Sequence, residues 1–396
     1  MANILYAWEL GGGLGHVTTG LALAEAYRER GHQVSFVVKD IGAASRIMPQ
    51  DGYRLIQAPV WWGEPEAAFA KSVSYAEILL TRGYGDSVKL THMVRAWMDL
   101  LREARPDLLV LDFAPTAMFA AHVTGLPCCS VGAGFFMPPR AVPVPPYEPA
   151  TDVARVERSE AAVLESINLA RERLGQKSLE RFADFFATEL DMLFTWPELE
   201  HYPSRQGAQY FGPVLLRGRG LPAPWRTNAA GKIFAYLFGN FPQLEMILRA
   251  IKDSGADAHV HVRGAPPELI ERMRSNRVTI SSELYALDEV LLGADMLICH
   301  GNFSTVWQGM LAGKPILCLP AHAEQHVASQ RLAELGLAIL PRRSLSPRTL
   351  TSAIHALLTQ RSFREVSEGV ARKYAGFDRN VQLNHVVDSS LAVLKA

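Results

Sequence analysis

Two residues that could perform acid–base chemistry each follow a short apolar run. His16 closes the glycine-rich segment Gly11-Gly-Gly-Leu-Gly-His16, and Asp112 ends the run Leu108–Leu111. The positive end of a helix disfavours an imidazolium, so a histidine at a helix start stays neutral and basic. A carboxylate on the other ring nitrogen would fix its tautomer. We predict His16 as a general base with Asp112 as its partner. The alternative is that both residues merely cap helices.

A second segment of this kind is Cys299-His-Gly-Asn-Phe-Ser-Thr-Val-Trp-Gln308. Ser304 or Thr305 is predicted to begin a helix, whose free N–H groups and hydroxyls form an anion site. His300 adds another donor. A diphosphate fits such a site without lysine or a metal ion, although a plain helix cap would also explain the pattern.

A third segment, Pro320-Ala-His-Ala-Glu-Gln-His326, follows another strand-like run. Glu324 and Gln325 could hydrogen-bond sugar hydroxyls, which need both donors and acceptors. His322 and His326 are four residues apart, but their order around the glutamate is not that of a zinc helix and no third ligand is evident. The sequence also lacks an Asp-x-Asp motif. We therefore expect neither a metal nor another cofactor.

Short apolar runs alternate with amphipathic stretches along the chain, which predicts α/β architecture with parallel sheets covered by helices on both faces. An internal repeat supports two halves of one kind. Pro106–Asp112 matches Ala294–His300, and Thr124–Pro127 matches Ala312–Pro315, each pair separated by 188 residues. Asp112 and His300 thus occupy equivalent positions at the carboxyl ends of strands, the edge where open parallel sheets bind ligands. We expect both to face one cleft between two domains.

Breaks in this pattern suggest the domain boundaries. Six prolines fall within residues 138–149, and Pro213, Pro222 and Pro224 mark a second break. We predict an N-terminal domain over residues 1–215, a linker over 216–228 and a C-terminal domain over 229–378. The last stretch, 379–396, is predicted to be an amphipathic helix.

Bulk composition excludes several classes of protein. The 396 residues include 40 basic and 40 acidic side chains, a balance that argues against a broad nucleic-acid or anionic-membrane surface. The apolar runs are strand-sized, so we expect no transmembrane segment. The N-terminus lacks a basic region before an apolar stretch, so we expect no signal peptide. The four cysteines lie in strand-like runs and are interpreted as buried, reduced residues, so we expect a cytoplasmic protein.

These motifs together resemble the GT-B glycosyltransferases of the UDP-glycosyltransferase-like family, glycosyltransferase family 1, which decorates macrolides, glycopeptides and plant metabolites. The resemblance lies in Gly15-His-Val-Thr-Thr-Gly-Leu-Ala-Leu-Ala-Glu-Ala26 and Arg30-Gly-His-Gln-Val34, then in His300–Gln308, Ala312–Pro315, Pro320 and Glu324-Gln325. It covers nearly the whole chain and implies two Rossmann-like doubly wound domains.

The resemblance also implies a reaction and a set of roles. A sugar would move from UDP or dTDP to a hydroxyl of a hydrophobic small-molecule or lipid-like acceptor, with inversion, His16 acting as base beside Asp112. The final helix would brace the N-terminal domain. The donor-binding residues would be Gly15, Gly239, Asn240, Tyr285, Ala286, Leu287, His300, Gly301, Asn302, Ser304, Thr305, Gln308, Glu324 and Gln325.

Three residues depart from the family pattern. Gln308 stands where the family has a glutamate that holds the ribose, Asn302 replaces the second glycine of His-Gly-Gly, and Glu324 replaces aspartate. An amide binds hydroxyls more weakly than a carboxylate because it lacks the charge. These departures leave the identity of the donor open, and the sequence carries no signal for the oligomeric state.

The acceptor is expected on the N-terminal domain, in a cleft rich in aromatic side chains, which suits an apolar molecule. Core packing is the alternative for each residue of this set. The predicted lining is Trp61, Trp62, Tyr84, Phe135, Phe136 and Met137.

Two other functions compete with sugar transfer. A nucleotide-sugar epimerase on the same scaffold would need cleft carboxylates for elimination, and the motifs do not match that family. A non-catalytic nucleotide-sugar-binding protein is suggested by Gln308 and Asn302.

Overall fold

A computed structural model describes residues 1–49, 52–61, 72–148, 150–215, 220–226, 229, 231–341 and 345–395. The chain divides into two compact units. Unit 1 comprises Met1–Leu216 with Asp378–Ala396, and unit 2 comprises Arg217–Phe377. The described part of the predicted linker belongs to unit 2, where Leu221 forms a parallel bridge with Tyr285.

Unit 1 contains a parallel sheet of six described strands in the order β3-β2-β1-β4-β5-β6. The strands are β1 Asn3–Trp8, β2 Gln33–Val38, β3 Arg54–Gln57, β4 Leu108–Asp112, β5 Cys128–Gly132 and β6 Leu190–Leu193. The helices are α1 Gly15–Glu29, α2 Ile41–Ala44, α3 Tyr75–Leu79, α4 Ser87–Ala104, α5 Pro115–Thr124, α6 Val153–Arg173 and, at the end of the chain, α14 Arg379–Ala392.

The first strand and helix show why the sequence folds this way. Ile4 through Trp8 are all buried, as expected for a central strand of a parallel sheet covered on both faces. Gly11 and Gly13 take left-handed φ angles of 76° and 88°, which lets the chain turn from β1 into α1. Gly31, with φ 79°, follows α1 and lets the chain enter β2.

The C-terminal helix α14 is part of unit 1 and packs against α1. The Tyr27 hydroxyl lies 2.5 Å from Ser390 Oγ, and Gln382 Nε2 donates to the Gly212 carbonyl at 3.1 Å. Val386 and Val387 join the hydrophobic core formed by β1, β2 and α1.

Unit 2 contains a second parallel sheet of six described strands, in the order β12-β11-β10-β7-β8-β9. The strands are β7 Lys232–Phe238, β8 Asp257–Arg263, β9 Val278–Ser281, β10 Met296–Cys299, β11 Ile316–Cys318 and β12 Ala338–Ile339. The helices are α7 Leu244–Asp253, α8 Pro267–Met273, α9 Leu287–Gly293, α10 Phe303–Leu311, α11 Ala323–Glu334, α12 Pro347–Thr359 and α13 Arg361–Lys373.

The internal repeat appears in the structure as equivalent elements. β4, α5 and β5 begin at Leu108, Pro115 and Cys128, and β10, α10 and β11 begin 188 residues later in each case. Two doubly wound parallel sheets confirm the predicted fold class. Among the described residues, every helix is too short or too polar to span a bilayer.

Candidate active site

His16 and Asp112 meet at the carboxyl edge of the unit 1 sheet. β1 and β4 are neighbours, with Trp8 in register with Asp112, so the turn after β1 brings α1 over the end of β4. His16 Nδ1 lies 2.9 Å from Asp112 Oδ2. Because a carboxylate only accepts, Nδ1 carries the proton, and in the neutral imidazole Nε2 therefore keeps a lone pair. That is the tautomer a general base requires.

Aromatic rings and one glycine enclose the imidazole. The His16 ring stacks on Trp8 at a centroid distance of 5.3 Å and is tilted against Phe136 at 5.1 Å. Its Nε2 faces Gly11, where a Cβ atom would approach to 2.8 Å. His16 is 8% exposed, so the ring is shielded from water on most sides. Packing and the Asp112 hydrogen bond together fix the direction in which Nε2 points.

The backbone after Asp112 is strained. Phe113 has a left-handed φ of 49°, a conformation that costs a non-glycine residue about 1–2 kcal/mol. Its carbonyl accepts from the Leu10 N–H at 2.9 Å, and its ring stacks on Phe136 at 4.6 Å. These contacts hold the end of β4 against the turn that carries His16.

A buried carboxyl group beside this site was not predicted. Glu9, directly after β1, is 3% exposed and accepts from the Thr116 and Ala117 N–H groups at the start of α5, at 2.8 and 3.4 Å. Burial raises the pKa of Glu9 to about 7, while those two N–H groups, the Thr116 hydroxyl and Lys39 favour ionisation. The sequence gives no signal for Glu9, because a single glutamate after a strand is common and forms no motif.

A cavity of about 30 Å³ opens beside these rings. Such a volume holds a water molecule and admits a larger ligand only if its lining moves. The cavity touches Phe113 and Phe136, which border Asp112 and His16. Its lining is Tyr75, Leu111, Phe113, Ala114, Pro115, Met118, Ser130, Phe136, Met137, Pro138, Phe186 and Asp191.

The predicted acceptor residues divide between this cavity and other places. Phe136 and Met137 line it. Tyr84 and Phe135 are fully buried in the core instead, since the Tyr84 hydroxyl lies 3.1 Å from Thr116 Oγ1 and Phe135 stacks on Tyr147 at 4.2 Å. The ring of Trp61 packs over Gly83 and Lys89. Trp62 lies outside the described residues.

The predicted donor segments lie at the carboxyl edge of the unit 2 sheet. β11, β10 and β7 are neighbours, so the segments after them come together. Helix α10 begins at Phe303, one residue before Ser304, which is the first of the two predicted starting positions. No side chain of the described residues caps this helix, and the first intrahelical bond is donated by Val306. The N–H groups of Ser304 and Thr305 therefore remain as donors for an anion.

His300 does not supply the donor that we predicted. Its Nδ1 lies 2.7 Å from the Leu319 carbonyl and its Nε2 accepts from the Phe238 N–H at 2.9 Å. The side chain is completely buried, and burial lowers the pKa of His300. Because both nitrogens are occupied and the ring is neutral, it holds three neighbouring segments together rather than offering an N–H to a phosphate.

Two glycines allow these segments to approach one another. A Cβ atom at Gly239 would lie 2.2 Å from the carbonyl carbon of Gly264, after β8. Gly301 has φ 86°, and a Cβ atom there would lie 2.6 Å from Ser329 Oγ. Asn240, next to Gly239, is exposed at this edge.

The remaining predicted donor residues are buried or half-buried. Gln325 is fully buried and its Oε1 accepts from the Ala321 N–H at 2.8 Å, which leaves Nε2 without a partner among the described residues. Asn302 Oδ1 is also a buried atom without a partner there. Glu324 is 8% exposed in the first turn of α11. Gln308 Nε2 lies 3.5 Å from the Ser304 carbonyl, within α10.

Tyr285 is buried in unit 2, whereas Gly15 is exposed in unit 1. The Tyr285 ring is 5% exposed and packs edge-on against Phe234, so the side chain belongs to the core of unit 2. Ala286 is buried and Leu287 half-buried at the start of α9. Gly15 is exposed in unit 1 as the first residue of α1.

One cation at the unit 2 edge was missed by sequence reasoning. Arg263 ends β8, is exposed, and its guanidinium lies 5.7 Å from the centroid of Phe238. Phe238 also stacks on the ring of His300 at a centroid distance of 4.5 Å. His300 directly precedes Gly301 and the segment that leads into α10. No carboxylate pairs with Arg263 in the part of the chain that the structure describes. Only tertiary structure could reveal this residue, since β8 carries no recognisable motif.

No cluster of three or more potential metal ligands occurs within the described residues. The His322 ring lies 3.7 Å from the Glu324 carboxylate.

Two doubly wound parallel-sheet units, one with a His–Asp pair and the other with an uncapped helix start at the carboxyl edge, define a protein of the GT-B class. Residues 2–147 match the model of the family described as "Glycosyl transferase family 1". The NDP-glycosyltransferase YjiC of Bacillus subtilis (strain 168) is 24% identical over 359 residues, covering 87% of this chain and 86% of YjiC. The zeaxanthin glucosyltransferase of Pseudescherichia vulneris is 23% identical over 373 residues, with 87% of each chain covered.

Solved structures share the fold. The calicheamicin glycosyltransferase CalG4 superimposes with a TM-score of 0.71 at 19% identity, covering 99% of this chain and 98% of its own. The spinosyn rhamnosyltransferase SpnG gives a TM-score of 0.70 at 18% identity, covering 98% of this chain and 100% of its own. The chain is a glycosyltransferase with the GT-B fold.

Proposed function

We propose that this glycosyltransferase is an inverting, metal-independent enzyme in which His16 deprotonates an acceptor hydroxyl. The acceptor oxygen attacks the anomeric carbon, the bond from that carbon to the diphosphate breaks, and the nucleoside diphosphate leaves with the electron pair. The proton moves to His16 Nε2. The observation that carries the proposal is the 2.9 Å contact between His16 Nδ1 and Asp112, because it places the lone pair on Nε2.

Asp112 stabilises the imidazolium that forms during transfer. It is 2% exposed, so its charge acts on the ring through little intervening water. A positioned base of this kind contributes roughly 10²–10⁴-fold to a rate.

The diphosphate is proposed to bind at the start of α10. The N–H groups of Ser304 and Thr305 and the positive end of the helix favour an anion there. Arg263 supplies a full positive charge at the same sheet edge, in addition to these N–H groups. These groups would neutralise the leaving group without a divalent cation. Two neighbours, SpnG and VinC, have been solved in complex with thymidine diphosphate.

The acceptor is proposed to be a small molecule with an apolar body. The cavity beside His16 is lined mainly by aromatic and aliphatic side chains, and it must widen to admit such a ligand. Two relatives are named for small-molecule acceptors, zeaxanthin and a spinosyn aglycone.

The test measures transfer and donor binding separately in His16→Ala. We expect transfer to fall by at least about 10²-fold, with the dissociation constants for UDP and dTDP within twofold of wild type. The wild-type assay contains excess EDTA and a panel of UDP- and dTDP-sugars with apolar acceptors. Full activity of His16→Ala, loss of its nucleotide binding, or abolition of wild-type transfer by EDTA would contradict the proposal. Binding of nucleotide sugars without any turnover by wild type would favour a non-catalytic binding protein.

A further inference from the structure

Tyr6 is a buried polar residue that the mechanism above does not use. It lies within β1, between β2 and β4, and is 2% exposed. Its ring packs against Phe36 at a centroid distance of 5.4 Å. Sequence alone gives it no role, since a tyrosine in a central strand is most often a core residue.

The hydroxyl of Tyr6 touches both members of the predicted base pair. Tyr6 Oη lies 2.5 Å from Asp112 Oδ2 and 2.9 Å from the His16 carbonyl oxygen. The hydroxyl has one proton, and the charged carboxylate is the stronger acceptor. Burial, followed by the charge of Asp112, raises the pKa of Tyr6 well above its usual value, so the phenol stays protonated as a donor.

The carboxylate of Asp112 is held through one oxygen only. Oδ2 accepts from both the Tyr6 hydroxyl and His16 Nδ1, whereas Oδ1 is buried with no partner among the described residues. Loss of the phenolic donor would leave His16 as the single hydrogen-bond partner described for this group. The carboxylate plane could then rotate, and the imidazole would lose its alignment.

Helix α1 is shaped to accommodate the Tyr6 ring. A Cβ atom at Gly20 would lie 2.6 Å from Tyr6 Cε1, so only glycine lets the helix pass this close. Because α1 also carries His16 and its carbonyl, the ring and hydroxyl of Tyr6 fix the helix start relative to the end of β4.

We propose that Tyr6 is a positioning residue for the base, acting through Asp112 to hold the imidazole of His16 in its productive orientation. This inference rests on the proposed function of His16. Tyr6 does not touch the reacting atoms, so its removal should lower kcat while leaving the KM for donor and acceptor unchanged.

The experiment removes the phenolic hydroxyl from each of two buried tyrosines of unit 1 and compares the two variants. Tyr6→Phe keeps the ring and should lower kcat about tenfold, less than the roughly 10²-fold cost of moving a reacting group by 1 Å. Tyr27→Phe is the matched control, since Tyr27 is equally buried and its hydroxyl contacts Ser390 instead. We expect its kcat to stay within twofold of wild type. Thermal melts show whether the two variants are equally stable.

A double-mutant cycle with Asp112→Asn tests whether Tyr6 acts through Asp112. In single-turnover assays, adding Tyr6→Phe to Asp112→Asn should lower the rate by less than a further twofold. A full further tenfold loss, or equal kcat values for Tyr6→Phe and Tyr27→Phe, would overturn the inference. If His16→Ala and Asp112→Asn both transfer sugar at the wild-type rate, the proposed base itself fails. If they are impaired while Tyr6→Phe is not, only the role of Tyr6 fails.

Discussion

Gly11→Ala should impair catalysis without removing any functional group. Gly11 follows β1 with a φ of 76°, and a Cβ atom there would lie 2.8 Å from His16 Nε2 and 3.2 Å from Phe113 Cδ1. We propose that Nε2 is the nitrogen that takes the proton from the hydroxyl of the acceptor molecule. The added methyl group therefore presses on the reacting atom itself.

The size of the effect follows from these distances. Ordinary non-bonded contacts are about 3.5–4.0 Å, so the imidazole must move by roughly 1 Å or the turn must deform. A misplacement of about 1 Å can cost 10²-fold in rate, which corresponds to about 2.7 kcal/mol in the barrier. The left-handed backbone adds a separate stability cost of about 1–2 kcal/mol for alanine.

Gly13→Ala separates the two effects. Gly13 has a φ of 88° in the same turn, but no atom lies within 4 Å of its would-be Cβ. We expect similar melting temperatures for the two variants, near wild-type kcat for Gly13→Ala and a kcat about 10²-fold lower for Gly11→Ala. Steady-state transfer assays and thermal melts measure both quantities. Equal activity of the two variants would refute the argument that Nε2 points at Gly11 as the working nitrogen.

Two further predictions concern charge. Arg263→Gln should weaken UDP and dTDP binding at least about tenfold, because a charge-assisted hydrogen bond contributes about 1.5–3 kcal/mol, while uridine and thymidine binding is unchanged. Arg277→Gln is the calorimetric control, since Arg277 precedes β9 at the opposite edge and donates to the Gly255 carbonyl at 2.6 Å; equal losses in both variants would exclude the assigned role. Glu9→Gln should change how stability depends on pH. Burial raises the pKa of Glu9 from 4.5 in the unfolded chain to about 7, so the ionised carboxyl destabilises the fold increasingly from pH 4.5 to 7 and fully above. In urea titrations the variant should exceed wild type by on the order of 3 kcal/mol at pH 8 and by little at pH 4.5; a pH-independent difference would contradict this.

Much of the fold could be predicted because local patterns carry it. Buried parallel strands are continuous apolar runs, helices end at glycines such as Gly31, and the 188-residue repeat aligns β4 with β10. Topology then places residues that follow parallel strands at one sheet edge. His16 and Asp112 could be paired from the sequence for this reason.

Side-chain roles were harder to predict, because a motif gives a residue's position in the chain and not its partners. His300 matches a donor motif, yet its two nitrogens are taken by Leu319 and Phe238. Tyr285 and Phe135 were predicted to face ligands and are buried in cores.

The sequence by itself determined the class of fold, the two-unit plan and the proximity of His16 and Asp112 at the strand ends. Tertiary structure decided that Tyr6 shares Asp112 with His16, that Glu9 is buried against α5, and that Arg263 lies beside Phe238. The physical reason is the separation along the chain between the residues that interact. Strand and helix patterns are set by neighbouring residues, whereas a hydrogen bond between Tyr6 and Asp112 joins residues 106 positions apart and exists only once the sheet has formed.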